Sequence, residues 1–397
     1  MTNPFARGIF ALSACLGLVS LGCSVSVTGD GVGGLGGGLG GSESGSGEGA
    51  FPTAPEEPVR APSYTSHCTP APALVPHAVC VCGDMSNAGS LTTYGGGGGR
   101  GNVGVNGRFS GATGTKIDGS LHVAKGVSFA GSLDVVDSMY TGGRTSGSGS
   151  LDVGQSLRVG GDLSGAGDFD VRGELQVAGR RSVAGSLRYA SEAVFVPAPA
   201  APCTCAKDKI YDVAKAVDLA RASNDNAAAG IPTSFEAREL RLKSGRYFFT
   251  NVRSVGSSRI VAEGNVQVYV DGDLDAVGSS QIRLEAGATL DLFVKGAIRS
   301  AGDVSYGDAS RPDAFRLYVG GPNARISFAG SRAFHGVVYA PEASLSFAGD
   351  TEVTGALLAK EIHYAGDLHV RYAPVTTQTA TCEEQPPPPP SCNDRLN

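Results

Sequence analysis

From Val103 to Glu192 the chain repeats in blocks of six residues without a slip of phase, giving 15 hexads. LHVAKG, VSFAGS, LDVVDS, LRVGGD and FDVRGE are typical. The first position is apolar in 12 hexads, the third is a large apolar residue in 11, and the fifth is glycine in 10. The second position is polar or glycine everywhere except Tyr140. Apolar, polar, apolar is the alternation of a short strand with one face in the core. The glycine after it is read as a corner residue with positive φ. Three such sides close a coil of about 18 residues, so five coils make a rod about 24 Å long at about 4.8 Å per rung. The weakest stretch is Met139 to Ser150, where inward positions fall to Thr and Gly.

After Pro197 to Pro202 the rhythm changes. Ile210, Val213, Ala214, Val217 and Ala220 have helical spacing, which predicts a helix over Asp208 to Ala222, N-capped by Asp208 and stopped by Ser223 to Asn226. Strands then recur at longer intervals. Val266 to Val270 is echoed by Leu290 to Val294, by Phe315 to Val319, then by Val337 to Tyr339 and Ala356 to Leu358. Between them an Ala-Gly turn returns at Ala301, Ala329, Ala348 and Ala365, with a variant at Val277. Irregular coils with constant corners predict a second, larger parallel β-helix. The fold class is therefore all-β: two parallel β-helices (β-solenoids) in tandem, with a short capping helix and a disordered N-terminal tether.

The hexads resemble bactofilin-like and other triangular β-helices. SNDNA at Ser223, LRLKSGRYFF at Leu240, VYVDGDL at Val268, LDLFVKG at Leu290, RLYVGG at Arg316 and GVVYAPEA at Gly336 resemble, in order, an uncharacterised bacterial β-helix domain. That domain occurs in surface lipoproteins of myxobacteria-like Gram-negatives and in pilus-associated proteins. The resemblance spans about Cys203 to Tyr372 and implies a right-handed parallel β-helix outside the cytoplasm, without catalytic residues to carry over.

If Val268, Leu292 and Leu317 point inward, the residues beside them point outward. That gives an apolar ladder of Phe248, Tyr269, Phe293 and Tyr318, continued by Val338 and Leu357. Either the helix covers it, or it is a binding platform for a partner or glycan. The polar positions beside the ladder are Gln267, Asp291, Arg316, Gly336 and Gly355, too few carboxylates for the calcium-dependent site of a polysaccharide lyase. Asp271, Asp273 and Asp275 have the spacing of a calcium loop but lack its glycine and its terminal glutamate, so a solvated turn is expected. His363 and His369 alternate with inward residues and face solvent, without other ligands beside them.

Composition sharpens the address. Glycine is about 15% of the chain, roughly twice ordinary usage, and net charge is −6, which excludes an electrostatic footprint for nucleic acid. Arg7 followed by an apolar run from Gly8 to Leu21 has signal-peptide form. It ends at Cys23 and resembles a bacterial lipoprotein signal, with Cys23 lipidated; Cys15 fits the short motif but leaves a shorter core. By resemblance Ser24 directs the chain to the outer membrane. Residues 1–22 are thus read as the signal, 23–82 as tether, 83–196 as the hexad solenoid, 197–207 as linker, 208–373 as cap helix plus β-helix, and 374–397 as a Pro-rich tail.

Seven cysteines remain: Cys68, Cys80, Cys82, Cys203, Cys205, Cys382 and Cys392. In an exported chain they are candidates for disulfides, of undetermined connectivity. No cofactor, metal site or catalytic residue is expected. The function expected is a non-enzymatic structural or adhesive surface lipoprotein, joined to the membrane by its lipid and presenting a rigid rod to polysaccharide or envelope protein. The alternatives are a carbohydrate-active enzyme, with carboxylates around Asp303 to Asp313, and a self-assembling scaffold.

Overall fold

The computed structural model describes residues 77–195, 197, 201–235 and 239–374. It is an all-β parallel solenoid with two short helices, α1 (Val213–Ala222) and α2 (Asn226–Ala229). In the hexad segment each strand pairs with the strand 18 residues on, as in Val103↔Leu121, Met139↔Leu157 and Leu151↔Phe169. First and third residues of each hexad point inward, so Leu121, Val123, Leu133, Leu157 and Val159 are fully buried. The first rung begins at Val79, inside the segment read as tether.

The two solenoids are one object, assembled in the reverse of chain order. The last coil of the C-terminal segment docks on the first coil of the N-terminal one, with Val79↔Leu357, Met85↔Ile362 and Leu91↔Leu368 in register. Backbone bonds such as Cys82 N–H to the Ala359 carbonyl (2.9 Å) and Leu368 N–H to the Ser90 carbonyl (2.9 Å) cross this joint as they cross any other rung. The core passes through it unbroken, because Val79, Leu91, Leu357, Ile362 and Leu368 are all buried. A chain that leaves the hexad solenoid at its far end must therefore travel back along the rod before it can begin the second segment.

The glycines do two different jobs. In the C-terminal segment the Ala-Gly corner takes positive φ, as at Gly330 (118°) and Gly349 (106°), the conformation expected of the hexad corners instead. In the hexad segment most corner glycines have ordinary φ. They are glycine because successive coils approach closely there: a Cβ on Gly149 would lie 2.1 Å from the Gly131 carbonyl oxygen, and one on Gly167 2.3 Å from that of Gly149. Missing bulk, rather than handed backbone, is what those corners require.

The stretch from Met139 to Ser150 holds its pairing. Gly147 points inward because the Phe129 ring occupies its place, and Gly165 stands in the same relation to Phe169. The two rings pack at 5.9 Å between centroids. Large and small inward residues on neighbouring rungs thus fill the core jointly.

The helix starts later than its apolar spacing suggested. Asp212, not Asp208, is the N-cap, accepting from Lys215 N–H at 2.9 Å. Residues before it are engaged elsewhere: Lys209 and Ile210 N–H turn back to the Ala206 carbonyl, and Tyr211 N–H donates to the Tyr339 hydroxyl.

Candidate functional site

One outward column runs the length of the rod. Register places Phe248, Tyr269, Phe293, Tyr318, Tyr339 and Leu358 in line, then Cys80 across the joint. The continuation is Tyr339 and Leu358; Val338 and Leu357, expected here, lie one residue out of this register. Tyr269, Phe293 and Tyr318 stack face to face at 4.6 and 4.5 Å. They do not form an open platform. Phe248, Tyr269, Phe293 and Tyr318 are each 5% exposed or less, because the returning chain lies on them. Tyr211 packs tilted against Phe293 and edge-on against Tyr318, and α1 lays Val213, Val217 and Ala220 into the same surface.

Charge fastens this strap at its edges. Lys295 bridges Asp218 of α1 and Asp271, while Arg221 pairs with Asp271 and lies over the Phe248 ring. Asp273 and Asp275 share Arg299, and Asp273 also accepts from Ala297 N–H at 2.8 Å. The calcium-like spacing is thus spent on cations of the protein itself. Beneath the strap Asp291 is buried and receives two bonds from the Arg316 guanidinium, at 2.5 and 2.9 Å. Burial pushes the Asp291 carboxyl above its usual range, and Arg316 acts against that. Burial likewise pushes the Tyr211 phenol up to about 12.

Two disulfides pin the strap where it crosses the joint: Cys80–Cys203 and Cys82–Cys205, each closing 123 residues. Asn106 adds a reciprocal pair of hydrogen bonds to the Cys203 backbone, at 2.9 and 3.0 Å. Gly104 makes the crossing passable, since a Cβ there would meet His77, Pro202 and the Cys203 sulfur at about 3 Å. Cys23, Cys68, Cys382 and Cys392 lie outside the described residues.

Two other outward columns went unread in the sequence. Ser86, Ser110, Ser128, Ser146, Ser164 and Ser182 stand in line, and the column continues across the joint as His363, Ser346 and Ser327. The signal was present as a serine every 18 residues at the second hexad position. Alanines of the following corner wall this column into a shallow trough of about 520 Å³. His363 is exposed and hydrogen-bonded to the Ser86 hydroxyl at 2.7 Å, and His369 stacks on Tyr94. Among the described residues no group of three or more His, Cys, Asp or Glu side chains is arranged to hold a metal ion.

The third column stacks Asp134, Asp152 and Asp170 between Lys116 and Arg188. Burial, and then Asp152, raise the Asp134 carboxyl above its usual range. The folded state therefore holds that proton more tightly than the unfolded chain. This contribution favours folding in acid and is lost as pH rises through the raised value. Asp152→Asn is expected to stabilise the fold at neutral pH by about 0.5 kcal/mol, and by less near pH 4. Denaturant melts at the two pH values test it, and equal effects at both would exclude charge repulsion as the cause.

Residues 206–379 match the model of DUF7305, a domain of unknown function. No curated protein matches the chain. Among solved structures, an ice binding protein from an Antarctic bacterium Flavobacteriaceae is similar over 74% of this chain and 81% of its own, at 10% identity and a TM-score of 0.19, a likeness too loose to bear on function. The register and this match together describe a β-solenoid chain whose residues 206–379 are similar to the DUF7305 model.

Proposed function

We propose that the protein is a non-enzymatic structural or adhesive rod of the bacterial outer membrane, held by lipid at Cys23 and kept clear of the bilayer by the glycine-rich tether. The observation that supports this most is the continuous solenoid clamped by Cys80–Cys203 and Cys82–Cys205, since stable disulfides suit an oxidising compartment. Burial of the aromatic ladder moves the presenting surface to the serine trough. That surface is a long row of hydroxyls, with the Arg144 guanidinium donating to Ser164, and suits hydroxyl-rich polymers such as neutral matrix polysaccharide.

The reading is tested in two steps. Cys23→Ser should abolish labelling by a palmitate analogue and move the protein from the membrane to the soluble fraction. Purified protein should then co-sediment with insoluble neutral polysaccharide without releasing reducing ends. Release of sugar would instead favour a carbohydrate-active enzyme, and unchanged fractionation of Cys23→Ser would remove the lipid anchor.

A further inference from the structure

At the far end of the rod, charged residues occupy positions that lower rungs fill with core. Arg181 stands in the inward column directly above Leu163, and Glu192 in the inward column above Leu175. Both leucines are fully buried. Tyr189 occupies a third inward column, above Val171. These three side chains come from the three sides of the triangle and meet over its centre. The Arg181 guanidinium donates to Glu192 Oε1, and the Tyr189 hydroxyl donates to Glu192 Oε2 at 3.2 Å. Beneath them Val183 and Leu187 are only partly covered.

The strands of this last coil, Arg181–Val183 and Leu187–Glu192, have no partner on their outer edge among the described residues. Unpaired parallel edges are templates for another chain, and an inward-pointing charge is one way proteins blunt them. The opposite end differs. There Phe235, Leu242, Tyr247 and Phe249 are buried, and α2 packs beside Gly245–Phe249 through the buried Asn226. α2 covers one of the three sides there, while the outer edges of Ser234–Phe235 and Glu239–Leu242 have no partner among the described residues.

We propose that Arg181, Glu192 and Tyr189 form a guard that prevents this end from pairing with the same end of a second copy. A second copy is the fitting occupant because its last coil offers three free edges on the same triangle, with the same side length. A two-fold axis across the rod brings those edges together antiparallel, as an isologous contact. With the guard in place, two ion pairs must be desolvated at the centre of that contact, which outweighs a single rung of pairing. Without it the contact, being isologous, closes on itself at two.

Sedimentation equilibrium on the full chain tests this, with Cys23→Ser in every sample so that no lipid contributes to association. The guarded protein is expected to be monomeric. Arg181→Leu combined with Glu192→Leu should form dimers with a dissociation constant at least about tenfold lower, or about 1.4 kcal/mol, and nothing larger. Arg181→Lys should behave as the parent. A folded double variant as monomeric as the parent overturns the proposal, and so do filaments, which would require the other end. If the double variant does not fold, Arg181→Gln combined with Glu192→Gln removes both charges without added bulk and should shift association in the same direction; an unshifted constant is then decisive against the guard.

Discussion

Gly147→Val should unfold the hexad solenoid at markedly lower denaturant, by about 3 kcal/mol or more. A Cβ at this position would lie 2.1 Å from Phe129 Cζ, and 2.3 and 2.6 Å from two further ring atoms. The ring has little room to retreat, because Phe129 is buried and the Phe169 ring packs beside it. Valine is the commonest residue at the third hexad position along the segment, so strand propensity alone predicts a gain. The sign therefore separates the two explanations. Phe129→Val combined with Gly147→Val should recover much of the loss, because it removes the ring that the new side chain meets. A double-mutant cycle measured by urea melts would show that coupling directly. Independent, additive effects, or a cost below about 0.5 kcal/mol, would mean that the ring does not occupy the space of the missing side chain.

Removing both disulfides, by replacing Cys80, Cys82, Cys203 and Cys205 with serine, is the second large effect. By chain entropy, closing 123 residues contributes about 5 kcal/mol. The bridges are not worth twice that. Once Cys80–Cys203 is formed, Cys82 and Cys205 are already neighbours, so the second closes a loop of only a few residues. Loss of either alone should therefore cost about 2 kcal/mol and loss of both about 7 kcal/mol. Urea melts of the two paired variants and the quadruple variant, with and without reductant, give the comparison. Equal and additive losses from the two bridges would show that each contributes through local contacts instead of shared loop closure.

Most of the architecture was legible because it is periodic. Inward and outward residues of a three-residue strand, repeated on an 18-residue coil, leave their spacing directly in the chain. The second segment was legible for the same reason, though its longer coils blurred register by one residue where Val338 and Leu357 replaced Tyr339 and Leu358. What could not be read was order in space. Nothing local to Val79 or Leu357 states that they pair, since each merely has the character of an inward strand residue. The aromatic ladder was found from its alternation, but whether it met solvent or helix depended on where the returning chain lay. The serine and aspartate columns were present as periods and passed over as solvated positions. The guard was visible only as one hexad beginning with arginine.

The reversed order of the coils also sets a timetable. Hexad rungs join residues about one coil apart, and can form as the chain lengthens. The joint pairs residues such as Ser86 and His363, separated by 277 positions. It must wait until nearly all of the described chain has been made and delivered. Contacts of such separation are slow to close, and until then the edge of Val79–Tyr94 stands open to any other strand. The step most exposed to misassembly in this protein is thus its last, and correct assembly requires that first rung to stay unoccupied until its own C-terminal coil arrives.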